Sequence, residues 1–138
     1  GQIPDYVCCV YATTPLLDTK YLQEGWQRLV NSEKQFAFSV ASFAFPIQRA
    51  IKMTASGGVT PFNPEAIPKR SQDLEPAYHD AGQFYWGRAE AFLGGYTMFS
   101  DDAIPIVLPR YLVQDIDDEE DWIRAEFMYR AIHSKDNY

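Results

Sequence analysis

A strand, a turn and an amphipathic helix open the sequence, and this unit constrains the fold more than any other feature. Residues Tyr6–Ala12 are a continuous apolar run without alternation, which is typical of a strand buried on both faces of a parallel sheet. A Thr-Thr-Pro turn follows, and Asp18 can cap a helix in which Leu22 and Trp26 recur at helical spacing. Such βα units build doubly wound sheets. We therefore predict an α/β fold.

Later stretches predict further strands of that sheet at Phe36–Phe43, Gly82–Trp86 and Ile104–Leu108. Between the first two, residues 44–78 hold several prolines and a Ser-Gly-Gly turn, which predicts an excursion made of a β-hairpin and an irregular arm. No glycine-rich loop follows the first strand, although a doubly wound domain normally binds its ligand there. We predict one truncated domain over residues 1–138, a partial Rossmann-like sheet that lacks its N-terminal βα units.

Composition and charge exclude several classes of protein. Hydrophobic residues make up 46% of the 138 residues, which indicates a globular chain. The net charge of −7 argues against a nucleic-acid surface. No run approaches the roughly 18 apolar residues of a membrane span. The neighbouring Cys8 and Cys9 fit reduced, buried thiols. We expect a soluble cytoplasmic protein with neither a nucleic-acid nor a membrane partner.

The negative charge is concentrated in one run, where residues 115–121 hold six acids. The rest of the chain is almost neutral, so the run needs a local explanation. Asp115 and Asp117 lie two apart and share a face on extended backbone, where paired carboxylates can hold Mg²⁺. The alternative is a solvated helix start, in which Asp117 or Asp118 is the cap and the acids complement the helix dipole. Spacing alone leaves both interpretations open.

Two further groups of residues can carry chemistry. Arg70, on the proline-rich arm, is a candidate partner for a carboxylate or phosphate, although an ordinary surface pair with Asp73 explains it equally well. His79 and Asp80 lead into an aromatic strand and could line a sugar pocket. Because neighbours on a strand point to opposite faces, a structural role for His79 is the simpler interpretation.

Five segments of the chain carry a resemblance to a known family: Tyr11–Leu17, Phe38–Val40, Arg70–Leu74, Tyr78–Trp86 and Tyr111–Trp122. Taken together and in this order, they resemble the cytidylyltransferases that activate nonulosonic acids, the CMP-sialic acid synthetase family. The resemblance covers essentially the whole chain. Tyr11 stands where the sialic acid branch has Gln, which favours the branch that activates pseudaminic acid.

The resemblance implies a reaction and a cofactor. In this family the anomeric hydroxyl of a nine-carbon keto-sugar acid attacks the α-phosphate of CTP, which gives a CMP-sugar and pyrophosphate. Asp115 and Asp117 match the family's metal-binding Asp-x-Asp motif, so Mg²⁺ is the implied cofactor. Thr13 and Thr14 match the turn that approaches the nucleotide.

The resemblance also implies sugar-binding residues and a partner. Arg70 matches the arginine that holds the sugar carboxylate, Tyr85 falls where an aromatic ring lines the sugar site, and Gln83 and His79 are plausible neighbours of the sugar. The family's counterpart of residues 44–78 packs against a second subunit, so we expect a homodimer or larger homo-oligomer.

The chain departs from the family by lacking the loop that grips the CTP phosphates. It therefore resembles a C-terminal portion of such an enzyme, and we expect it to be inactive alone. A second hypothesis is a non-catalytic truncated paralogue that acts as a dimeric interaction module or binds sugar acids.

Overall fold

The computed structural model describes residues 2–134, which divide into two compact units: Ser42–His79, and the described residues on either side of it. Short 3-10 turns connect several of the elements. The strands and helices, in chain order, are β1 (Tyr6–Val10), α1 (Thr19–Val30), β2 (Phe36–Ser42), β3 (Ile51–Met53), β4 (Val59–Pro61), β5 (Tyr78–Arg88), α2 (Ala89–Leu93), β6 (Ala103–Val107) and α3 (Glu119–His133).

The main sheet is mixed, with four strands in the order β1-β5-β2-β6. β1 runs antiparallel to β5, so that Cys9 lies opposite Tyr85. β2 and β6 run parallel, with Ser39 opposite Ile106. Three helices accompany this sheet, and the predicted α/β class is therefore confirmed. β6, which contains Pro105, ends the sheet, and an edge strand is where a proline is tolerated.

The predicted burial of the first strand on both faces is wrong for the described chain. β1 lies at an edge of the sheet and pairs antiparallel with its one neighbour. Val7, Cys9 and Val10 are exposed, and only Tyr6 and Cys8 are half-buried. An apolar run without alternation shows that a strand has two apolar faces. It carries no information on how many strands or helices cover them.

Helix α1 begins where the sequence predicted. The carboxylate of Asp18 accepts a hydrogen bond of 3.0 Å from the Lys20 backbone N–H, as an N-cap side chain does. Gly25 lets the helix approach the sheet closely, because a Cβ atom at this position would lie 3.0 Å from the Trp86 ring and 3.1 Å from the Phe84 ring. Leu29 at the end of the helix is fully buried.

A buried hydroxyl ties two central strands together in the core of the main sheet. The Oγ atom of Ser39, on β2, accepts hydrogen bonds from the backbone N–H groups of Gln83 (3.3 Å) and Phe84 (3.2 Å) on β5. Ser39 is fully buried among apolar neighbours such as Phe84 and Ile106. The hydroxyl therefore satisfies donors that have no access to water.

The unit Ser42–His79 contains the predicted hairpin. β3 and β4 pair antiparallel, with Met53 opposite Val59. The turn between them contains Gly57, whose φ of +83° lies in the left-handed region that favours glycine. β3 covers only Ile51–Met53, because the preceding residues Ile47–Arg49 form a 3-10 turn. The proline-rich remainder of the unit contributes only further single 3-10 turns, which agrees with the predicted irregular arm.

The last helix confirms the predicted cap. Asp118 accepts a hydrogen bond of 3.0 Å from the Asp121 backbone N–H, and α3 begins at Glu119. Ala125 is its buried residue. Across residues 2–134, no helix is both long enough and apolar enough to cross a membrane.

Candidate functional site

The candidate site is built around a left-handed glycine inside β5. Gly82 has a φ of +64°, and its N–H donates a hydrogen bond of 2.9 Å to Oδ1 of Asp80. In a regular strand, residues five apart face opposite sides of the sheet. A glycine in this conformation shifts the alternation, as in a β-bulge. Consequently Asp80 and Tyr85 meet on one side, and the Tyr85 hydroxyl donates to Oδ2 of Asp80 at 2.7 Å.

Tyr85 is held tightly in this arrangement. Its ring lies 6.0 Å from the ring of Phe38 in a stacked geometry and 5.2 Å from the ring of Tyr11. Only 7% of the residue is exposed. Burial, followed by the hydrogen bonds with Asp80 and Tyr11, raises the pKa of the Tyr85 hydroxyl well above its ordinary value. The Tyr85 hydroxyl therefore stays protonated at neutral pH and remains a hydrogen-bond donor.

Gln83, predicted as a neighbour of the sugar, links β5 to the segment that precedes the acidic run. Its side-chain N–H donates to the backbone carbonyl of Leu112, and the residue is almost fully buried. Its backbone carbonyl accepts a hydrogen bond of 2.9 Å from the N–H of Tyr11. Gln83 thus positions both Tyr11 and the chain that leads to Asp115.

One of the two predicted metal-binding aspartates lies beside the glycine. A Cβ atom on Gly82 would lie 3.9 Å from Oδ2 of Asp115. The other oxygen of Asp115 accepts a hydrogen bond of 3.0 Å from the Ile116 N–H. Asp117 is exposed, and its carboxylate accepts no hydrogen bond within residues 2–134. The structure therefore brings Asp115 next to Gly82, and Asp117 lies exposed two residues further along the chain.

Asp121 organises the acidic loop, a role that sequence reasoning missed. Its carboxylate accepts hydrogen bonds from the side chain of Gln114 (2.9 Å) and from the backbone N–H of Asp117 (3.2 Å). The sequence predicts for Asp121, as for its acidic neighbours, only a place in the solvated start of the helix. The available signal is its position three residues after the Asp118 cap, where an acidic side chain commonly reaches back to preceding N–H groups.

The acidic run offers carboxylate oxygens, which are the ligands that Mg²⁺ prefers. The part of the chain that the structure describes contains no cluster of three or more His, Cys, Asp or Glu side chains placed to hold a metal ion. Two carboxylates nevertheless suit this ion, because Mg²⁺ commonly binds one or two of them and fills its other positions with water and substrate phosphates. Asp115 and Asp117 are both exposed, and they remain the predicted ligands of Mg²⁺.

The two threonines predicted to lie near the nucleotide occupy the turn after β1. The Thr14 hydroxyl donates to the backbone carbonyl of Tyr11 at 3.1 Å, and the Thr14 carbonyl accepts from the Leu17 N–H. Thr13 is exposed. The turn begins directly after Tyr11, whose ring contacts the ring of Tyr85.

Arg70 and His79 belong to the other unit and are described within it. The Arg70 guanidinium donates to both carboxylate oxygens of Asp73, at 2.9 Å and 3.2 Å, and remains largely exposed. The surface pair considered as the alternative for Arg70 is thus formed. The ring of His79 packs edge-on against Phe43 at 5.0 Å. Both remain predicted sugar-binding residues.

An α/β protein with a mixed sheet, tyrosines on one strand and an adjacent acidic loop is consistent with a nucleotidyltransferase fold. No protein-family model matches the chain. The chain is 40% identical, over 133 residues or 96% of its length, to pseudaminic acid cytidylyltransferases from two strains of Campylobacter jejuni subsp. jejuni, serotypes O:23/36 and O:2. It is therefore related to pseudaminic acid cytidylyltransferases, and the resemblance indicated by its motifs is confirmed.

A third relative combines two activities. The chain is 34% identical over 113 residues, or 81% of its length, to a Helicobacter pylori protein described as pseudaminic acid cytidylyltransferase and UDP-2,4-diacetamido-2,4,6-trideoxy-beta-L-altropyranose hydrolase. The chain spans 57% of the length of the Campylobacter relatives and 22% of the Helicobacter relative.

Proposed function

We propose that this chain is the sugar-acid-binding and metal-binding part of a cytidylyltransferase that transfers CMP from CTP to a nonulosonic acid, specifically pseudaminic acid. The observation that carries the proposal is the 40% identity over 96% of the chain to enzymes of that name. The cluster of Asp80, Tyr85 and Asp115 around Gly82 supports it, because it joins predicted sugar-binding and metal-binding residues.

The proposed reaction is a nucleotidyl transfer at phosphorus. The oxygen of the sugar acid's anomeric hydroxyl forms a bond to the α-phosphorus of CTP while the bond from that phosphorus to the bridging oxygen breaks. Pyrophosphate leaves with the electron pair, and the hydroxyl proton passes to water. Positioning of the reacting groups and stabilisation of phosphate charge account for most of the catalysis in such transfers.

Gln83 and Tyr85 are proposed to bind the sugar acid. In the other unit, Arg70 and His79 are proposed as sugar-binding residues, as the family resemblance implies. A guanidinium matches the two oxygens of a carboxylate, and the contact between Arg70 and Asp73 already has this form. The sugar carboxylate would replace the Asp73 carboxylate as the partner of the Arg70 guanidinium. Because the pair is exposed and contributes little stability, that exchange costs little.

Asp115 and Asp117 are proposed to hold Mg²⁺, which would offset the charge of the nucleotide phosphates. Their exposure supports this role, because a substrate-completed site must be open to the substrate. Thr13 and Thr14 are proposed to approach the nucleotide from the turn after β1. The ring contact between Tyr11 and Tyr85 supports this proposal, because the turn begins beside Tyr85, a proposed sugar-binding residue.

The sheet is proposed to be part of a Rossmann-like nucleotidyltransferase domain. The parallel pair of β2 and β6 supports this assignment, because parallel strands with helical crossovers are characteristic of such domains. The cytoplasm is the proposed compartment. The free thiols of Cys8 and Cys9 are consistent with a reducing environment.

Residues 44–78 are proposed to form a dimerisation arm. Several large apolar side chains of this unit are exposed, including Phe45 and Met53, each with 83% of its surface open. Contact with a second copy would remove such surface from water. Light scattering at micromolar concentrations tests the arm: we expect a dimer for the unaltered chain and a monomer for the double variant Phe45→Asp, Met53→Asp. A monomeric unaltered chain would contradict the proposal.

Calorimetric titration of the chain with pseudaminic acid tests the binding function. We expect saturable binding, weakened roughly tenfold or more by Arg70→Ala, because charge-assisted hydrogen bonds are lost. Arg130→Ala is the matched control, since Arg130 is a similarly exposed arginine paired with a carboxylate, Glu126. Equal affinities of the unaltered chain and Arg70→Ala would remove Arg70 from the site.

A second assay addresses catalysis by the 138-residue chain itself. CTP, Mg²⁺ and pseudaminic acid are added, and pyrophosphate is measured. We expect no turnover, because binding residues for the sugar acid and metal do not by themselves hold the triphosphate. Pyrophosphate release would contradict this expectation and would exclude a purely non-catalytic interaction module.

A further inference from the structure

We infer that Tyr11 determines which sugar acid this chain prefers, because its exposed ring contacts the apolar substituents of pseudaminic acid. This inference rests on the proposed function and adds a residue to those proposed to bind the sugar. It names the feature by which the site distinguishes pseudaminic acid from sugar acids that carry hydroxyl groups in the same places.

Tyr11 ends a row of aromatic rings in the unit that contains the main sheet. Phe38 stacks on Tyr85 with ring centres 6.0 Å apart, and the ring of Tyr85 lies 5.2 Å from that of Tyr11. The first two rings are buried, with 6% and 7% of their surfaces exposed, whereas Tyr11 has 47% of its surface exposed. A ligand that approaches Tyr85 from this end of the row therefore meets the ring of Tyr11 first.

The backbone of Tyr11 is fixed before any ligand binds. Its N–H donates to the carbonyl of Gln83 at 2.9 Å, and its own carbonyl accepts from the Thr14 hydroxyl at 3.1 Å. Tyr11 therefore adjoins a proposed sugar-binding residue on one side and the turn proposed to approach the nucleotide on the other. A ring whose backbone is already held in place can contact a ligand with little further loss of conformational entropy.

The charge beside this row indicates which part of a sugar acid faces Tyr11. The Tyr85 hydroxyl donates to the Asp80 carboxylate at 2.7 Å, and the Asp115 carboxylate lies beside Gly82. Negative groups at this place disfavour the carboxylate of the sugar acid itself. An uncharged part of the sugar acid therefore faces the ring of Tyr11.

The chemistry of an aromatic ring then selects among uncharged substituents. A ring surface gains free energy by covering apolar groups, whereas hydroxyl groups placed against it lose their hydrogen bonds to water. Pseudaminic acid carries a second acylamino group and a terminal methyl group where N-acetylneuraminic acid carries hydroxyl groups. Because a single methylene group in an apolar contact changes affinity by about tenfold or more, we expect Tyr11 to favour pseudaminic acid by roughly tenfold.

The test is a calorimetric measurement of the dissociation constants for pseudaminic acid and N-acetylneuraminic acid, in the unaltered chain and in Tyr11→Gln. Glutamine removes the ring and keeps a long side chain at this exposed position. We expect the ratio of the two constants, which measures selectivity, to fall by roughly tenfold. A purely structural role of Tyr11 would weaken the binding of both acids equally and would leave this ratio unchanged.

Two further variants serve as controls. Tyr11→Phe keeps the ring and removes only the hydroxyl, so the ratio should stay within about twofold of its value in the unaltered chain. Tyr96→Gln removes another exposed tyrosine ring of the same unit, which lies beside Gly94, and should change neither constant.

A second measurement applies even if Tyr11→Gln does not fold. In a chain whose tyrosine rings are its only protonated rings, a transferred nuclear Overhauser effect should connect them to the terminal methyl group of pseudaminic acid. Tyr11→Phe, with deuterated phenylalanine, should abolish this effect. Its persistence in Tyr11→Phe would assign the contact to another tyrosine and would overturn the inference.

The outcomes separate this inference from the proposed function. If the unaltered chain binds neither acid, the proposed function fails and the inference fails with it. If the unaltered chain binds pseudaminic acid and the ratio is the same in Tyr11→Gln, the proposed function stands and the inference is overturned. Equal affinities of the unaltered chain for the two acids would overturn it as well.

Discussion

The Tyr85 hydroxyl donates a 2.7 Å hydrogen bond to Asp80, although five positions of one strand separate the two residues. Strand alternation would place them on opposite faces of the sheet. The left-handed backbone of Gly82 brings them together, and the same carboxylate accepts from the Gly82 N–H. A local feature of the backbone thus assembles a polar pair beside Asp115.

Substituting this glycine should be costly. Gly82→Ala places a side chain at a φ of +64°, and we expect a loss of about 1–2 kcal/mol in the free energy of unfolding. Chemical denaturation measures this loss. Gly57→Ala is the matched control, because Gly57 also has a positive φ and a Cβ atom there would meet nothing within 4 Å.

Both variants should lose similar stability, but only Gly82→Ala should move the NMR signal of Tyr85. If Gly82→Ala leaves that signal unchanged, the glycine does not create the contact between Asp80 and Tyr85.

The buried hydroxyl of Ser39 provides a second prediction. Ser39→Ala leaves the N–H groups of Gln83 and Phe84 without their acceptor in a dry environment. We expect the free energy of unfolding to fall by about 1–3 kcal/mol. Ser56→Ala, at an exposed hydroxyl of the hairpin turn, should change it by less than about 0.5 kcal/mol. A cost for Ser39→Ala no larger than that of Ser56→Ala would mean that other groups satisfy these donors.

The two cysteines should differ in reactivity. Burial, together with the neighbouring Cys9, raises the pKa of Cys8 to about 11, whereas Cys9 is exposed. At pH 8 we expect Cys8 to react slowly with iodoacetamide, because the thiolate is the nucleophile. The measurement compares single-cysteine variants: Cys8→Ser, which retains Cys9, should react faster than Cys9→Ser. Equal rates would contradict the assigned burial of Cys8.

The raised pKa of Cys8 also predicts a pH dependence of stability. Its ordinary pKa is 9.0 and its folded value is about 11, so the unfolded chain loses this proton first. The stabilising contribution is complete below pH 9 and disappears as the pH rises through 11. Denaturation midpoints between pH 8 and pH 11 should therefore fall more steeply for the unaltered chain than for Cys8→Ser. Parallel curves would assign the fall to other groups.

The acidic loop should depend on Asp121. Asp121→Ala removes the acceptor of the Gln114 side chain and the Asp117 N–H, and we expect a loss of about 1–2 kcal/mol in the free energy of unfolding. Glu119→Ala is the control, because Glu119 lies exposed in the same helical turn. An equal effect of the two variants would indicate general charge removal and not the loss of specific hydrogen bonds.

The elements that sequence reasoning predicted well are those specified by neighbouring residues. Asp18 caps α1 and Asp118 caps α3, because a capping side chain and its N–H partner lie within a few residues. The hairpin turn was likewise predicted from neighbouring residues, which include Gly57. The surroundings of β1 depend on which distant strands pair with it, and an apolar run contains no such information.

The candidate site was predicted in its residue types but not in its arrangement. The family resemblance indicated Gln83, Tyr85 and Asp115 separately. A glycine within a strand can adopt either regular or left-handed backbone, so the contact between Asp80 and Tyr85 did not follow from spacing. The residue types indicate which chemical groups the candidate site contains. The backbone conformation of Gly82 determines which of these side chains come into contact.

The most direct test of the account is a calorimetric titration of the unaltered 138-residue chain with pseudaminic acid, with and without Mg²⁺. The account predicts saturable, one-to-one binding that Arg70→Ala weakens and Arg130→Ala does not. Absence of saturable binding by the unaltered chain would contradict the central claim that these residues form the sugar-acid site of a cytidylyltransferase.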